Sequence, residues 1–352
     1  MTNTKQTLVI LSPGFPENEN DTTCLPAQQV FVRALNKNFP LLEVIIISFD
    51  YPYFSASYKW NGNTVISIYR GSKGKLNRII TWLKAWRILN KIKKENTITG
   101  LLSFWITECA LIGKYFGRLH NIKHYGWILG QDARKNNVYV PLIRPQVDEI
   151  IALSDFLANQ FYENYHIRPE IVIPNGIDVN LFSKESLERN IDILAAGSLI
   201  PLKQYDVFIE AVKLINSKIP GVKAMLCGKG PEEKRLQSLI SVLNMEKNIQ
   251  LTGEKKHTEV LHLMQQSKVF LHTSNYEGFS TVCLEALYAG AHVISFFRPM
   301  DKDIDRWHIV ATKEEMAKKA VELLSGRDTE YIPALVYSMD DIAKAVVNLF
   351  EA

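Results

Sequence analysis

Two doubly wound α/β domains in tandem are what this sequence predicts, on three observations. Short apolar runs of strand length alternate with longer stretches of helical character along the whole chain. In the second half several of those runs stop at a glycine, just where the chain turns into the next helix. At 352 residues the chain is long enough for two domains with full cores.

In chain order, residues 7–11 form a strand, 28–36 a helix, and 43–49 a strand built on Val44-Ile45-Ile46-Ile47. A strand over 65–69 and a long helix over 76–94 follow, then strands over 98–104, 125–128 and 149–153. Strands separated by helices argue for a parallel sheet covered on both faces. The run Ile171-Val172-Ile173-Pro174-Asn175-Gly176-Ile177-Asp178 closes this half on a turn. The second half repeats the alternation, with a strand over 191–196 ending at Gly197 and a helix over 206–217. A strand over 222–227 ends in Gly228-Lys229-Gly230, and Pro231 opens the helix after it. Strands over 248–252, 269–272 and 292–297 continue the series, with helices over 258–267 and 280–289 between them, and a last helix covers 340–350. Ligands of open α/β sheets gather beyond the carboxyl ends of the strands. Gly197, Gly228 and Glu277 fall at those ends.

Composition narrows the function classes. Hydrophobic content of 47% and charged content of 22% are those of a soluble globular chain. No apolar run is long enough to span a bilayer, and the run from Leu8 is too short for a signal peptide. Four widely separated cysteines without a Cys-x-x-Cys indicate neither a disulfide framework nor a zinc site, and fit a reducing cytoplasm. His120 and His124 lack a third ligand, and His257 and His262 do not form a metalloprotease motif, so no metal site is expected. Neither G-x-G-x-x-G nor G-x-x-x-x-G-K-[ST] occurs, which removes the motifs of dinucleotide and Walker-type sites.

The net charge of +4 is unevenly spread. Residues 1–172 carry 20 Lys+Arg against 13 Asp+Glu, whereas 173–352 carry 21 against 24. The basic half calls for an anionic counterpart. Its densest part, 73–94, holds Lys73, Lys75, Arg78, Lys84, Arg87, Lys91, Lys93 and Lys94 with no acid. Trp82 and Trp86 are four apart within it, and Leu76, Ile79, Ile80, Leu83 and Leu89 supply an apolar stripe. A sheet-covering helix with a solvated basic face accounts for the stripe. Eight cations with two aromatics on one face also describe a helix lying on an anionic membrane surface. No nucleic-acid motif accompanies them, and nucleic acid is not expected as a partner.

The second half is organised around residues 274–290. From Thr281 to Ala289 every residue is apolar or small except Glu285. A helix apolar on nearly all sides is buried, and a buried carboxylate needs partners. Glu277 lies in the loop ahead of that helix, about 7.5 Å of axial rise separating the helix start from Glu285. Two such carboxylates suit opposite ends of one elongated ligand, with helix N-terminal amides between them for a phosphate. Alone, each glutamate would be read as a dipole or ion-pair residue.

Together, Glu277-Gly278-Phe279-Ser280 and Glu285 resemble the Glu-x7-Glu signature of retaining, nucleotide-sugar-dependent glycosyltransferases of the GT-B fold, in particular family 4 (glycosyl transferases group 1). The resemblance implies two Rossmann-like doubly wound domains facing across a cleft. The acceptor-side domain would cover 1–174, a linker 175–189 and the nucleotide-sugar domain 190–337, with the helix at 338–352 crossing back onto the first. It implies that Glu277 contacts the donor sugar and Glu285 the ribose hydroxyls, with Gly278, Phe279 and Ser280 beside the donor. Gly197-Ser198-Leu199-x-x-x-Lys203 is similar to the family's Gly-Arg-Leu-x-x-x-Lys phosphate clamp, with Ser198 where an arginine is expected and Gln204 where a glycine is usual. Lys229 and Arg298 are the candidate substitutes for that charge. Gly228-x-Gly230-Pro231 matches the family's nucleotide-side glycine turn. Asp132 would sit near the donor sugar, joining Glu277 and Lys203 as the catalytic set. The first loop lacks the family's glycine pair. Its Asn18, Asn20 and Asp21, with Gln131, suit acceptor hydroxyls instead.

The resemblance implies retaining transfer of a sugar from a nucleoside-diphosphate sugar to a hydroxyl of a glycan or lipid-linked glycan acceptor. The nucleotide sugar is then a co-substrate, with no metal or other cofactor expected. Two alternatives share the fold: a sugar-nucleotide-binding protein with weak or no turnover, which Ser198 makes conceivable, and a nucleotide-sugar epimerase.

Overall fold

Branched aliphatic runs form the middle of the first sheet. β1 (Gln6–Gly14) and β2 (Glu43–Tyr51) pair in parallel, and Leu8, Val9, Ile10 and Leu11 are buried with Val44, Ile45, Ile46 and Ile47. Runs apolar at every position suit strands covered on both faces. Each fully buried aliphatic side chain there contributes about 1.5–3 kcal/mol relative to exposure. The computed structural model describes residues 6–69, 71, 74–185, 187–326 and 330–351, so Lys73 lies outside the described residues, as does the side chain of Lys75. The chain divides into two units, 1–176 with 339–352, and 177–338.

The first unit continues with α1 (Pro26–Asn38), β3 (Ser55–Trp60), β4 (Asn63–Ile68), α2 (Lys75–Glu95), β5 (Thr97–Phe104), α3 (Glu108–His120) and β6 (His124–Ile128). The short α4 (Val140–Ile143), β7 (Ile150–Ala152), α5 (Asp155–Tyr165) and β8 (Ile171–Val172) complete it. Its strands lie in the order β3-β4-β2-β1-β5-β6-β7-β8, parallel except at the β3 edge. Strand β3 was not expected from the sequence. It pairs with β4 through a two-residue turn, Asn61-Gly62, in which both residues have positive φ (44° and 82°), the backbone of a type I′ hairpin.

The C-terminal helix (Met339–Glu351) belongs to this first unit. Asp340 binds Lys37 and Asn38 at the end of α1, at 2.5 and 2.8 Å. Tyr125 donates its hydroxyl to the Leu349 carbonyl at 3.1 Å. Phe350 packs on Gly100 of β5, so close that a Cβ there would fall 2.1 Å from its ring.

Helix α2 corrects one expectation. Trp82 and Trp86 do not face outward with the cations. Trp82 donates its indole N–H to Glu108 at 2.7 Å, Trp86 meets the Phe116 ring edge-on at 5.1 Å, and both pack on the core between α2 and the sheet. Large amphipathic rings lose more water-exposed apolar area when turned inward than any other side chain in the helix. Arg78 is likewise half-buried, its guanidinium over the Tyr139 ring. No described helix is long and apolar enough to cross a membrane.

The second unit runs β9 (Ile191–Ala196), α6 (Tyr205–Asn216), β10 (Ala224–Cys227), α7 (Glu233–Val242), β11 (Ile249–Gly253), α8 (His257–Gln265) and β12 (Ser267–His272). It ends with α9 (Thr281–Tyr288), β13 (His292–Ser295), β14 (Trp307–Ile309) and α10 (Lys313–Ser325). The last two were not anticipated. The sheet is parallel, in the order β11-β10-β9-β12-β13-β14. The segment expected as a linker packs with this unit. Ile177 donates its N–H to Tyr337, and Arg189 is anchored on the carbonyls of Ser267, Ala289 and Tyr331.

Gly100→Ala should destabilise the first unit by about 1–3 kcal/mol, because the new methyl overpacks the Phe350 ring. Five of the six tryptophans lie in that unit (all but Trp307), so fluorescence-detected urea unfolding reads it. In a Phe350→Ala background the penalty should shrink; an equal penalty would mean that the ring is not the obstacle.

Candidate functional site

In the second sheet, β9 is flanked by β10 on one side and β12 on the other, so the chain reverses direction of travel across the sheet between β9 and β12. Connections leaving a doubly wound sheet on opposite faces at such a point separate, and a crevice opens beyond the strand ends. The loops after β9, β10 and β12 meet at this edge.

Backbone carries the first contact. Leu199 N–H donates to the Lys229 carbonyl at 3.0 Å, and Glu232 N–H returns to the Leu199 carbonyl at 3.1 Å. The loops approach so closely that a Cβ on Gly228 would lie 1.9 Å from the Gly197 carbonyl oxygen, and one on Gly230 2.4 Å from that of Leu199. Gly228 also holds φ 152°, open to glycine and strained for other residues. These glycines are therefore required by the interlock of the two loops, whatever else they touch.

Charge carries the second contact. The turn Pro201–Lys203 follows β9 and brings Lys203 Nζ to 2.6 Å from Glu277 Oε2, in the loop after β12. Thr273 donates its hydroxyl to the Lys203 carbonyl at 2.8 Å and Asn275 its N–H to that of Leu202 at 3.2 Å, fixing one loop against the other. His272, the last residue of β12, is buried with Nε2 3.5 Å from the same Glu277 oxygen and 3.1 Å from Ser280 Oγ. Burial works to raise the Glu277 carboxyl, but His272 and Lys203 outweigh it and hold it down at about 2. It is ionised throughout the physiological range. Burial is also the main cause that lowers His272, with Lys203 adding to it, so the ring is neutral. With an ionised carboxylate beside it, Nε2 carries the proton, leaving Nδ1 as a buried nitrogen with no hydrogen-bond partner.

Glu285 stands apart from this cluster. It lies buried on α9, and His257 Nε2, in the first turn of α8, sits 2.6 Å from its Oε1. The buried carboxylate thus has the partner that its surroundings demand. Ser280 occupies the N-cap of α9 without capping it, its hydroxyl being engaged with His272. Phe279 packs edge-on against Trp307 and Tyr337, within the same unit. Of the residues named for the absent clamp charge, Ser198 and Lys229 are exposed, and Arg298 is paired with Asp303. The sequence reading missed His272 and His257. Position was the available signal for His272, at the carboxyl end of a strand just before the loop of interest.

The first-unit candidates serve their own loops. Both oxygens of buried Asp132 accept from backbone, Oδ1 from Gly130 (2.8 Å) and Leu129 (3.2 Å), Oδ2 from Ile106 (2.8 Å). The carboxylate expected near the donor sugar is thus committed to shaping residues 129–132. Burial raises it to about 6, against the opposing pull of those N–H groups. Asp21 accepts from the Tyr51 hydroxyl at 2.8 Å and from Cys24 N–H at 3.1 Å, and Asn18 Oδ1 accepts from Asn20 N–H at 2.9 Å. Gln131 is exposed. Among the described residues no group of three or more metal-ligating side chains is found.

Asp132→Ala would remove the acceptor of three backbone N–H donors, two of them buried, and each buried donor that loses its bond costs about 1–3 kcal/mol. Its urea midpoint at pH 7 should fall well below wild type. A carboxyl raised in the folded state binds more protons there than in the unfolded chain, so its contribution to stability declines as pH rises from about 4 to 6. That slope should be present in wild type and absent in Asp132→Ala. An unchanged midpoint with lost turnover would instead mark Asp132 as a substrate-contacting group.

Residues 177–328, nearly all of the second unit, match the family described as glycosyl transferases group 1. An uncharacterised glycosyltransferase of Methanocaldococcus jannaschii is 25% identical over 236 residues, covering 60% of this chain and 58% of that protein. The GPI3 subunit of phosphatidylinositol N-acetylglucosaminyltransferase from Saccharomyces cerevisiae is 27% identical over 152 residues, 40% of this chain and 33% of that protein. The matches therefore span less than two thirds of these relatives' lengths. The pneumococcal O-GlcNAc transferase GtfA, solved with UDP and GlcNAc, aligns over 99% of both chains with a TM-score of 0.68 at 14% identity. That likeness is one of fold: two α/β domains with parallel sheets. Residues 177–328 are thus similar to the glycosyl transferases group 1 family, and the fold of the chain is that of the two-domain GT-B glycosyltransferases.

Proposed function

We propose that this protein is a retaining glycosyltransferase that moves a sugar from a UDP-sugar to a hydroxyl of a glycan or lipid-linked glycan. The observation that carries the reading is the Lys203–Glu277–His272 cluster at the strand reversal of the second sheet. A lysine ammonium beside loop backbone suits the pyrophosphate, and an ionised carboxylate held by two partners suits the hydroxyls of the donor sugar. Glu285, fixed by His257, is the carboxylate available for the ribose. UDP as the nucleotide and N-acetylglucosamine as the sugar are supported by the ligands of the pneumococcal structure and by the name of the yeast relative.

In the transfer, the acceptor oxygen bonds to the anomeric carbon as the bond to the β-phosphate oxygen breaks. The nucleoside diphosphate leaves with that electron pair, and the acceptor proton passes to the departing phosphate on the same face. A carboxylate held at about 2 is too weak a base to take this proton. The chain's contribution is positioning and charge stabilisation. A thermal-shift screen across UDP-, GDP- and ADP-sugars tests the reading, since a ligand at 100 times its Kd stabilises the fold by about 2.7 kcal/mol. A UDP-sugar should raise the midpoint most, and hydrolysis of that sugar should follow. No shift with any of the three would overturn it.

Glu277→Gln should lower turnover more than UDP affinity, by about 10- to 100-fold for one lost charge-assisted contact. Glu285→Ala should do the reverse, weakening UDP in calorimetric titration. An affinity unchanged by Glu285→Ala would sink its ribose role.

Ser198 favours a second reading, a protein that binds the sugar nucleotide with weak or no turnover, because an exposed hydroxyl carries no charge toward the pyrophosphate. Ser198→Arg should tighten UDP by a contact worth roughly 1.5–3 kcal/mol. A fall in affinity would show that another cation already fills the place, and Lys229→Ala or Arg298→Ala then identifies it.

A further inference from the structure

Helix α2 carries an outer face that its own unit leaves uncovered. Thr81, Ala85, Leu89 and Ile92 are buried against the sheet. On the opposite side, Leu76 is 70% exposed, Ile79 51%, Ile80 41% and Leu83 54%. Side chains three and four apart share one face of a helix. These four therefore form a continuous apolar stripe over the first two and a half turns. The same stripe continues in Lys84, Arg87, Lys91 and Lys94, all exposed. Of these cations Lys91 lies at 4.0 Å from Glu95, the first acid in the helix.

We infer that this face docks on an anionic bilayer, with the aliphatic stripe entering the acyl boundary and the four cations resting on headgroup phosphates and carboxylates. Aliphatic and basic residues following one another along a single exposed line are what an interfacial helix requires. Charge complementarity selects this occupant over a second copy of the chain, because the row of cations calls for an anionic surface, which a second copy of the same face does not offer. The apolar part is also too small for a stable protein interface, which buries about 1,200–2,000 Å² in total. A nucleic acid would use the cations and leave the four aliphatic side chains in water. The tryptophans are not part of the contact, since both are packed inward. The inference does not rest on the transfer reaction. Should both hold, an acceptor carried in the membrane would reach the enzyme where it is bound.

Co-sedimentation of the full chain with phosphatidylcholine vesicles, with and without roughly 30 mol% phosphatidylserine, tests it. Wild type should pellet only with the anionic vesicles and be released between about 0.01 and 1 M salt, as the Debye length falls from roughly 30 to 3 Å. Replacing Lys84, Arg87, Lys91 and Lys94 with Ser should lower the partition coefficient about tenfold or more. Ile80→Asp with Leu83→Asp should do the same without changing the charge of any of those four residues. All six positions are exposed, so thermal midpoints should stay at the wild-type value, which separates lost docking from lost folding. Any one of three results overturns the inference: protein left in the supernatant at low salt, equal pelleting with neutral vesicles, or wild-type partition in both variants. A dimer in sedimentation equilibrium that Ile80→Asp with Leu83→Asp dissolves would overturn it too, assigning the stripe to a second copy. UDP-sugar hydrolysis in vesicle-free solution should be unchanged in every variant, so a failure here leaves the proposed reaction standing, and its failure leaves this one.

Discussion

The second unit depends on one constraint: the place where its sheet reverses direction. Strands β10 and β9 send their chains to one side and β12 sends its chain to the other, and the loops that follow the three strands meet at the strand ends. Two groups of opposite charge are delivered to that edge by different loops, Lys203 after β9 and Glu277 after β12, and meet at 2.6 Å. Taking both from water has a cost that their attraction offsets only with further hydrogen bonds. Neutral His272 contributes one from the strand end, and Thr273 and Asn275 lock the loops that carry the pair. The glycines at 228 and 230 serve the same edge from the other side, because any side chain there would push the loops apart.

Much of this was legible in the sequence, for definite reasons. Strands buried on both faces are nearly continuous aliphatic runs, so β1, β2, β9 and β12 announce themselves. Strand β3, by contrast, reads Ser-Ala-Ser-Tyr-Lys-Trp, an edge strand whose polarity hides it. Its turn, Asn61-Gly62, was the usable sign. Helix α3 was concealed differently: the apolar stretch from Leu101 runs through the end of β5, a turn and the start of the helix, so periodicity alone does not divide it. At the site, the spacing of Glu277 and Glu285 named the carboxylates. Their partners could not be read there, because His257 is 28 residues from Glu285 and Lys203 is 74 from Glu277. Asp132 shows the opposite error, a polar residue in a promising loop whose oxygens turn back to its own backbone.

Helix α2 shows how composition and placement part company. Eight cations and two tryptophans in 22 residues suggested one face bearing both. Packing sorts them: the aromatic rings, with the most apolar area to bury, go to the sheet, while aliphatic side chains of the first turns are left outside. The basic excess of residues 1–172 therefore has a specific address on the fold.

The two perturbed carboxylates also constrain how the proposed chemistry is done. A general base at neutral pH works best with a pKa near 7, and Glu277 is held far below that by its neighbours. Asp132 is closer, at about 6, but its two oxygens are committed to three backbone N–H groups of its own loops. Neither group is therefore suited to deprotonate an acceptor hydroxyl. A site built in this way stabilises charge that moves through it rather than carrying protons itself. That agrees with the proposed reaction, in which the leaving diphosphate takes the proton.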